Sequence, residues 1–332
     1  MRIVLIALAI AAVWVPTGAA QDGRTLTIIV GTAPGGSYDL YARIASRHFG
    51  KYLPGHPNVV VQYMAGANSR AMARHIYTVA PKDGSTLGMP LNTMPLSQML
   101  EPKTTEFNAA EFNWIGAVAS PANVLITWHT SGVRSIDEAR EKEITIGATS
   151  AGTSQDIYPA LANNLVGTKF RIVMGYRAST EVNVAMERGE VQGRGANAYQ
   201  AYKFQNPEWL RDKKINIIFQ MGQQRDPQLL DVPTLMEYAK NQRDKEIISI
   251  MATTESIGRP FAAPPGVASQ RVAVLRRALM DLVKDPDFLA DTEKAQLEIS
   301  PVPGEVLQKR VEGLIATPPD IVEGYRAAVK VN

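Results

Sequence analysis

Cysteine is absent from the 332 residues, which removes disulfide staples, thiol catalysis and thiolate metal sites. Histidine is scarce. His48, His56, His75 and His129 are the whole set, and their spacing fits no metal site. Excess charge is missing too. The 35 Lys and Arg against 32 Asp and Glu leave a formal +3, so no attraction to nucleic acid or to an anionic membrane is implied. Beyond Val15 no apolar run approaches about 18 residues, so the mature chain is expected to be soluble, without stable membrane insertion. Internal repeats and low-complexity tracts are also lacking.

What is present starts with an export signal. Met1-Arg2 is a minimal basic start, Ile3 to Val15 is wholly apolar, and Pro16-Thr17-Gly18-Ala19-Ala20 supplies small residues for cleavage before Gln21. The apolar core is too short to span a bilayer, so residues 1–20 read as a secretory signal peptide. No Cys at the cleavage point means no lipid anchor. The chain from Gln21 onwards is long enough for two domains of ordinary size, whose cores need no disulfides.

The organising stretch runs from Ile28 to Arg43. Thr25 to Val30 is β-branched and apolar, as in a parallel strand covered on both faces. Pro34-Gly35-Gly36 breaks it, and Ser37 and Asp39 suit the helix entry that follows. Such a turn leaves several N–H groups pointing one way beside the positive end of the helix dipole. It is a cradle that fits a carboxylate, although a tight turn without ligand has the same sequence pattern.

The pattern then repeats. Strands at Asn58–Tyr63 and Thr86–Met89 alternate with helices, which argues for a parallel, doubly wound sheet. Trp114–Val118 and Asn123–Trp128 lead out of this first unit. Glu143–Gly147 is a strand, Ala148 to Asp156 a hydroxyl-rich turn, and Ile157, Ala160, Leu161 and Leu165 make the stripe of the next helix. Arg171–Met174 and Val191–Gly195 continue the second sheet, with a helix over Thr180–Arg188 between them; Ile215–Gln220 is a further strand. Glu246–Met251 is too short for periodicity to separate strand from helix. Arg259 to Val267 reads as a proline-rich crossing back, and Arg271–Lys284 as an amphipathic helix, with shorter helices around Asp287–Gln296 and Gly304–Leu314. Two cradles in separate α/β lobes suggest one cleft beyond the carboxyl ends of the strands, closing by a hinge. Lobe 1 is expected over 21–122 and 255–332, and lobe 2 over 123–254.

In order and spacing these segments resemble the Bug-type periplasmic solute receptors of tripartite tricarboxylate transport systems, over essentially the whole mature chain. Ala33 to Asp39 looks like the family's first ligand loop, and Gly147 to Ser154 like its second. Gly66-Ala67 with Ala80 to Leu87, Tyr176-Arg177, Asp231-Val232-Pro233-Thr234 and Ala263 to Val267 are similar to further family blocks. The resemblance implies a two-lobed α/β flytrap with a doubly wound sheet in each lobe, an exported periplasmic protein, and delivery of the ligand to integral membrane transporter subunits. It implies a small carboxylate ligand and no cofactor. Pro34, Gly35, Gly36, Ser37, Tyr38 and Asp39 would line one wall of the site; Ser150, Thr153, Ser154 and Gln155 the other, with Tyr176, Arg177 and Asn197 nearby. Neutral donors of this kind hold an anion without burying a fixed countercharge. Three segments depart from the family pattern. Asp156 stands near where many members have His, Asn68-Ser69-Arg70 replaces a glycine-richer stretch, and Gly193 to Asn197 replaces a more acidic one.

Arg70, Arg177 and Arg194 lie near strand ends, where a guanidinium could meet an anion or simply lie in solvent. Asp39 is better suited to capping its helix than to touching ligand. Catalysis is not expected. Ala148-Thr149-Ser150-Ala151-Gly152 imitates a nucleophile elbow, but that architecture needs its His after the Ser, and the last His is His129. Pro34-Gly35-Gly36-Ser37 lacks a P-loop Lys and the three-glycine dinucleotide spacing. The remaining alternative is an exported sensor that signals to a membrane kinase.

Overall fold

The computed structural model describes residues 25–331; the expected signal peptide lies outside them. Two sheets carry the architecture. The first contains β1 (Leu26–Val30), β2 (Val59–Tyr63), β3 (Thr86–Met89), β4 (Asn113–Ala117), β10 (Pro260–Ala263) and β11 (Val302–Pro303), in the order β11-β4-β10-β3-β1-β2. The second contains β5 (Asn123–Trp128), β6 (Ile144–Gly147), β7 (Phe170–Val173), β8 (Gly193–Ala198) and β9 (Ile215–Met221), in the order β7-β6-β8-β5-β9. The chain crosses from the first sheet to the second between β4 and β5, and returns at β10. Among the described residues no helix is long and apolar enough to cross a membrane.

Both sheets are mixed where an all-parallel arrangement was expected. β1 to β3 are parallel, but β10 enters antiparallel between β3 and β4; β5 runs antiparallel to both β8 and β9. The reason lies in the crossings, since a strand that enters a lobe at the cleft edge must run against those that end there, as β10 and β5 do. β10 itself falls in the proline-rich crossing, whose composition hides a strand. The undecided Glu246–Met251 run is interior to the helix Gln242–Ile257. The terminal helix Pro319–Ala328 had no sequence counterpart.

Alternation along β1 explains its apolar composition. Leu26, Ile28 and Val30 enter one core, whereas Ile29 enters another on the opposite face. β5 is built the same way. Val124, Ile126 and Trp128 pack in a core private to the second lobe, and Leu125 joins the core that holds Ile29. This shared core therefore runs through both lobes. Ile247, Ile248, Ile250 and Met251 of the long helix belong to it, as do Tyr325 and Ala328 of the terminal helix.

Register brings the loops together. Val30 stands opposite Tyr63 and Met89, so the loops after β1, β2 and β3 open at one edge. Gly147 stands opposite Val173 and Arg194, so those after β6 and β7 open at the matching edge of the second sheet. Gly195 of β8 lies directly under the helix that follows the second loop: a Cβ there would collide with the Gln155 carbonyl. Gly195→Ala is expected to push that helix off the sheet and cost about 1–3 kcal/mol, read as a lower urea midpoint with an unchanged slope.

Candidate functional site

The first loop is the exposed turn Ala33 to Ser37, ahead of the helix Ser37–His48. Gly35 has φ +98°, a conformation that suits glycine. Its N–H donates to Asp39 Oδ2 at 2.8 Å. Asp39 Oδ1 accepts from the Tyr63 hydroxyl at 2.5 Å and from Arg43 Nε at 2.6 Å. Burial pushes this carboxyl up, but the bonds from Tyr63, Arg43 and Gly35 outweigh it and hold the group below its ordinary value. Asp39 thus faces inward and locks the turn.

The second loop uses the same device. Gly152, φ +79°, donates its N–H to Asp156 Oδ2 at 3.0 Å, and Thr153 N–H donates to Oδ1 at 2.7 Å. The Thr153 hydroxyl reaches the Ser150 carbonyl at 2.9 Å and Asp156 Oδ1 at 3.1 Å. Gln155 is buried; it accepts from Thr149 N–H at 3.1 Å and donates to Ser179 Oγ at 2.7 Å, bracing this loop against the one after β7. In each lobe a left-handed glycine is pinned by an aspartate four residues on. The Ser37 and Tyr38 N–H groups, and those of Ser154 and Gln155, head their helices without intrahelical acceptors.

The remaining expected residues separate. Pro34, Gly36 and Ser37 are exposed on the first loop, as Ser150 is on the second. Tyr38 turns away from the opening into the joint between the lobes. Its hydroxyl lies 3.1 Å from the Gly258 carbonyl and accepts from Asn92 N–H at 3.0 Å, while the Arg259 guanidinium lies 4.6 Å over its ring. Tyr176 is half-buried against Gly147. Arg177 is exposed and pairs with Glu181 at 2.8 Å. Asn197 sits in β8 opposite Val124. Arg70 pairs with Glu101 at 2.6 Å. Arg194 is buried and donates to Asn183 at 2.8 Å, and desolvation lowers its pKa. His48, Asp285 and Asp287 converge at the far end of the first helix, but Lys51 already bridges the two aspartates there, at 3.2 and 2.9 Å.

A cavity of about 860 Å³ opens between Arg70, Thr93 and Leu96 of the first lobe and Thr153, Ser154 and Ile157 of the second. That is within the range of small-molecule sites. Its rim includes Asn68, whose backbone is left-handed together with Ala67 and Ser69, at φ +55°, +45° and +65°. Side chains hold this costly run in place. Ser69 Oγ donates to the Gly31 carbonyl at 3.0 Å and accepts from Leu91 N–H at 3.0 Å, and Asn68 exchanges bonds with Thr93 at 3.1 and 2.8 Å. The glycine-richer stretch of the resembled family would adopt such a backbone without these bonds.

Four residues of the joint were not singled out in the sequence: Asn92, Asn123, Glu255 and Arg259. Glu255 is buried and accepts from Ser154 Oγ at 2.9 Å, Asn123 Nδ2 at 2.9 Å and Asn92 Nδ2 at 3.2 Å. The signal was a lone acid on the buried stripe of Ile248, Met251 and Ala252, legible only once that segment is known to be helical.

Because the Asp39 carboxyl is held below its ordinary value, its contribution to stability is present above that value and lost as the pH falls through the lowered one. Asp39→Asn should therefore cost about 1–3 kcal/mol at neutral pH and progressively less in acid, measured by urea unfolding across pH.

No family model matches the chain. It is 26% identical over 227 residues to a UPF0065 protein encoded in the tcbD-tcbE intergenic region of Pseudomonas sp. strain P51, a match covering 66% of this chain and 65% of that protein, just under two thirds of its length. A TctC solute binding protein from Polaromonas superposes with a TM-score of 0.71 at 16% identity, covering 91% of this chain and 99% of that one. An R. palustris protein with adipate gives 0.61 at 19% identity, covering 92% and 98%. MatC from Rhodopseudomonas palustris with bound malate gives 0.58 at 18%, covering 90% and 99%. The two-lobed α/β fold is thus shared with periplasmic binding proteins, the TctC solute binding protein among them, and in sequence the chain resembles the UPF0065 protein.

Proposed function

We propose that the protein is an exported periplasmic receptor that captures a small carboxylate between its lobes and delivers it to a tripartite tricarboxylate-type membrane transporter. The observation that carries this reading is the pair of matching loops, each a glycine turn locked by an aspartate and each opening a helix at the carboxyl edge of its sheet. Gly36, Ser37 and the Tyr38 N–H offer donors from one lobe; the Ser150 hydroxyl and the N–H groups of Ser154 and Gln155 offer them from the other, the Thr153 and Ser154 hydroxyls being already given to the Ser150 carbonyl and to Glu255. The locking aspartates lie behind the turns, and Arg43 balances the first of them. Hydrogen-bond donors at helix starts suit an anion. The two structural neighbours that hold malate and adipate support a diacid as the class to test first.

The mechanism requires no bond to be made or broken. The carboxylate bridges the two loops, the lobes close on it through the crossings around 118–123 and 257–259, and the closed form is what the transporter meets. Residues 21–122 with 255–332 act as one lobe and 123–254 as the other, with export directed by residues 1–20.

A thermal-shift panel on refolded protein, from Gln21 onwards, tests this reading. A carboxylate at about 100 times its dissociation constant should add about 2.7 kcal/mol of stability, a clear rise in Tm. Ser37→Ala should weaken that ligand by about 1 kcal/mol, roughly fivefold. A response confined to neutral sugars, or silence across aliphatic and aromatic acids, rejects the assignment.

A further inference from the structure

We propose that Glu255 sets the hydrogen-bonding sense of Ser154, so that capture of a carboxylate between the lobes takes up a proton on Glu255. The inference rests on the receptor reading and on the geometry of one buried carboxylate. Its two oxygens are not equivalent. Oε2 faces the side-chain amides of Asn92 and Asn123, at 3.2 and 2.9 Å. The Asn92 amide also points Nδ2 at the Thr254 carbonyl, 3.3 Å away. An amide nitrogen only donates, so Oε2 remains an acceptor in either protonation state. Oε1 faces the Ser154 hydroxyl at 2.9 Å. A hydroxyl can give or take, so Oε1 is where a proton can be added.

Ser154 has a single proton. With Glu255 ionised, that proton is committed to Oε1, and the serine turns only lone pairs towards the cavity it lines. A carboxylate arriving there meets acceptors. When solvent supplies a proton to Oε1, the new O–H donates to Ser154 Oγ, and the serine proton turns to the ligand. One proton is bound and no other bond changes. An incoming anion adds a negative charge beside the buried acid, which favours the same protonation.

The surroundings agree. Burial is the largest influence on Glu255 and pushes its carboxyl up; bonds from Ser154, Tyr158 and Asn92 and the charge of Arg259 act against it. Arg259, whose charge acts on the acid, is itself stacked on Tyr38. The groups facing Glu255 from neighbouring elements are the phenols of Tyr38, Tyr158 and Tyr325, all pushed up by burial and neutral at physiological pH. Arg310, from the helix Gly304–Ile315, spends Nη1 on the Ser256 carbonyl at 2.7 Å.

Glu255→Gln imitates the protonated acid, with its oxygen toward the two asparagines and its amide donating to Ser154. Titration calorimetry with malate and with adipate, in two buffers of different protonation heat at about pH 7.5, well above the ordinary carboxyl range, reads the proton directly. Wild type should take up close to one proton per ligand, and above the titration point of Glu255 its affinity should fall about tenfold per pH unit. Glu255→Gln should take up none and bind with a flat pH profile. Binding by wild type without proton uptake overturns the proposal while leaving the receptor reading intact. If neither diacid binds at any pH the proposal also falls, and the wider thermal-shift panel then decides the receptor reading separately. Should the variant not fold, proton uptake and pH profile of the wild type still decide.

Discussion

A carboxylate taken out of water where two lobes meet has to be satisfied from both sides at once. Glu255 draws its donors from the loop after β3 in one lobe, and from the start of β5 and the second glycine loop in the other. It can do so because the helix Gln242–Ile257 runs through the shared core and delivers its last turn to the cleft edge of both sheets. Burying an acid without a directly bonded cation is expensive. Three neutral donors from fixed backbone positions offset that cost only when the lobes are correctly placed. The acid thereby makes the relative position of the lobes part of its own solvation.

The two glycine loops meet a different constraint by a common solution. An anion site at a helix start needs N–H groups that are unspent, rigid and exposed. Gly35 and Gly152 each give up one N–H to an aspartate four residues later, and the turn is thereby fixed before any ligand is present. Across the opening, the left-handed run Ala67-Asn68-Ser69 is held by side-chain bonds where glycine would be free. The edge of the cleft is thus built from conformations that the surrounding hydrogen bonds over-determine.

Much of this was legible in the sequence. β1 and β6 are β-branched, largely apolar runs ending in glycine turns, and their strand–turn–helix order is local information. So was the preference of Asp39 for its own helix. What could not be read was set by long-range packing. Pro260 to Ala263 looks like a crossing because prolines surround it, yet it pairs with β3 and β4. Glu246–Met251 carries too few residues to show a period, and its helix is stabilised by the terminal helix more than 60 residues later in the chain. With that helix unread, Glu255 remained one acid among many, and Ser154 looked like a free hydroxyl.

The shared core carries a consequence for cooperativity. Ile29 from the first sheet, Leu125 from the second and Met251 from the helix between them lie in one apolar cluster. Neither lobe can lose its packing without exposing part of the other's. The two lobes are therefore expected to melt as one, a lesion in either being felt as a loss of stability in both.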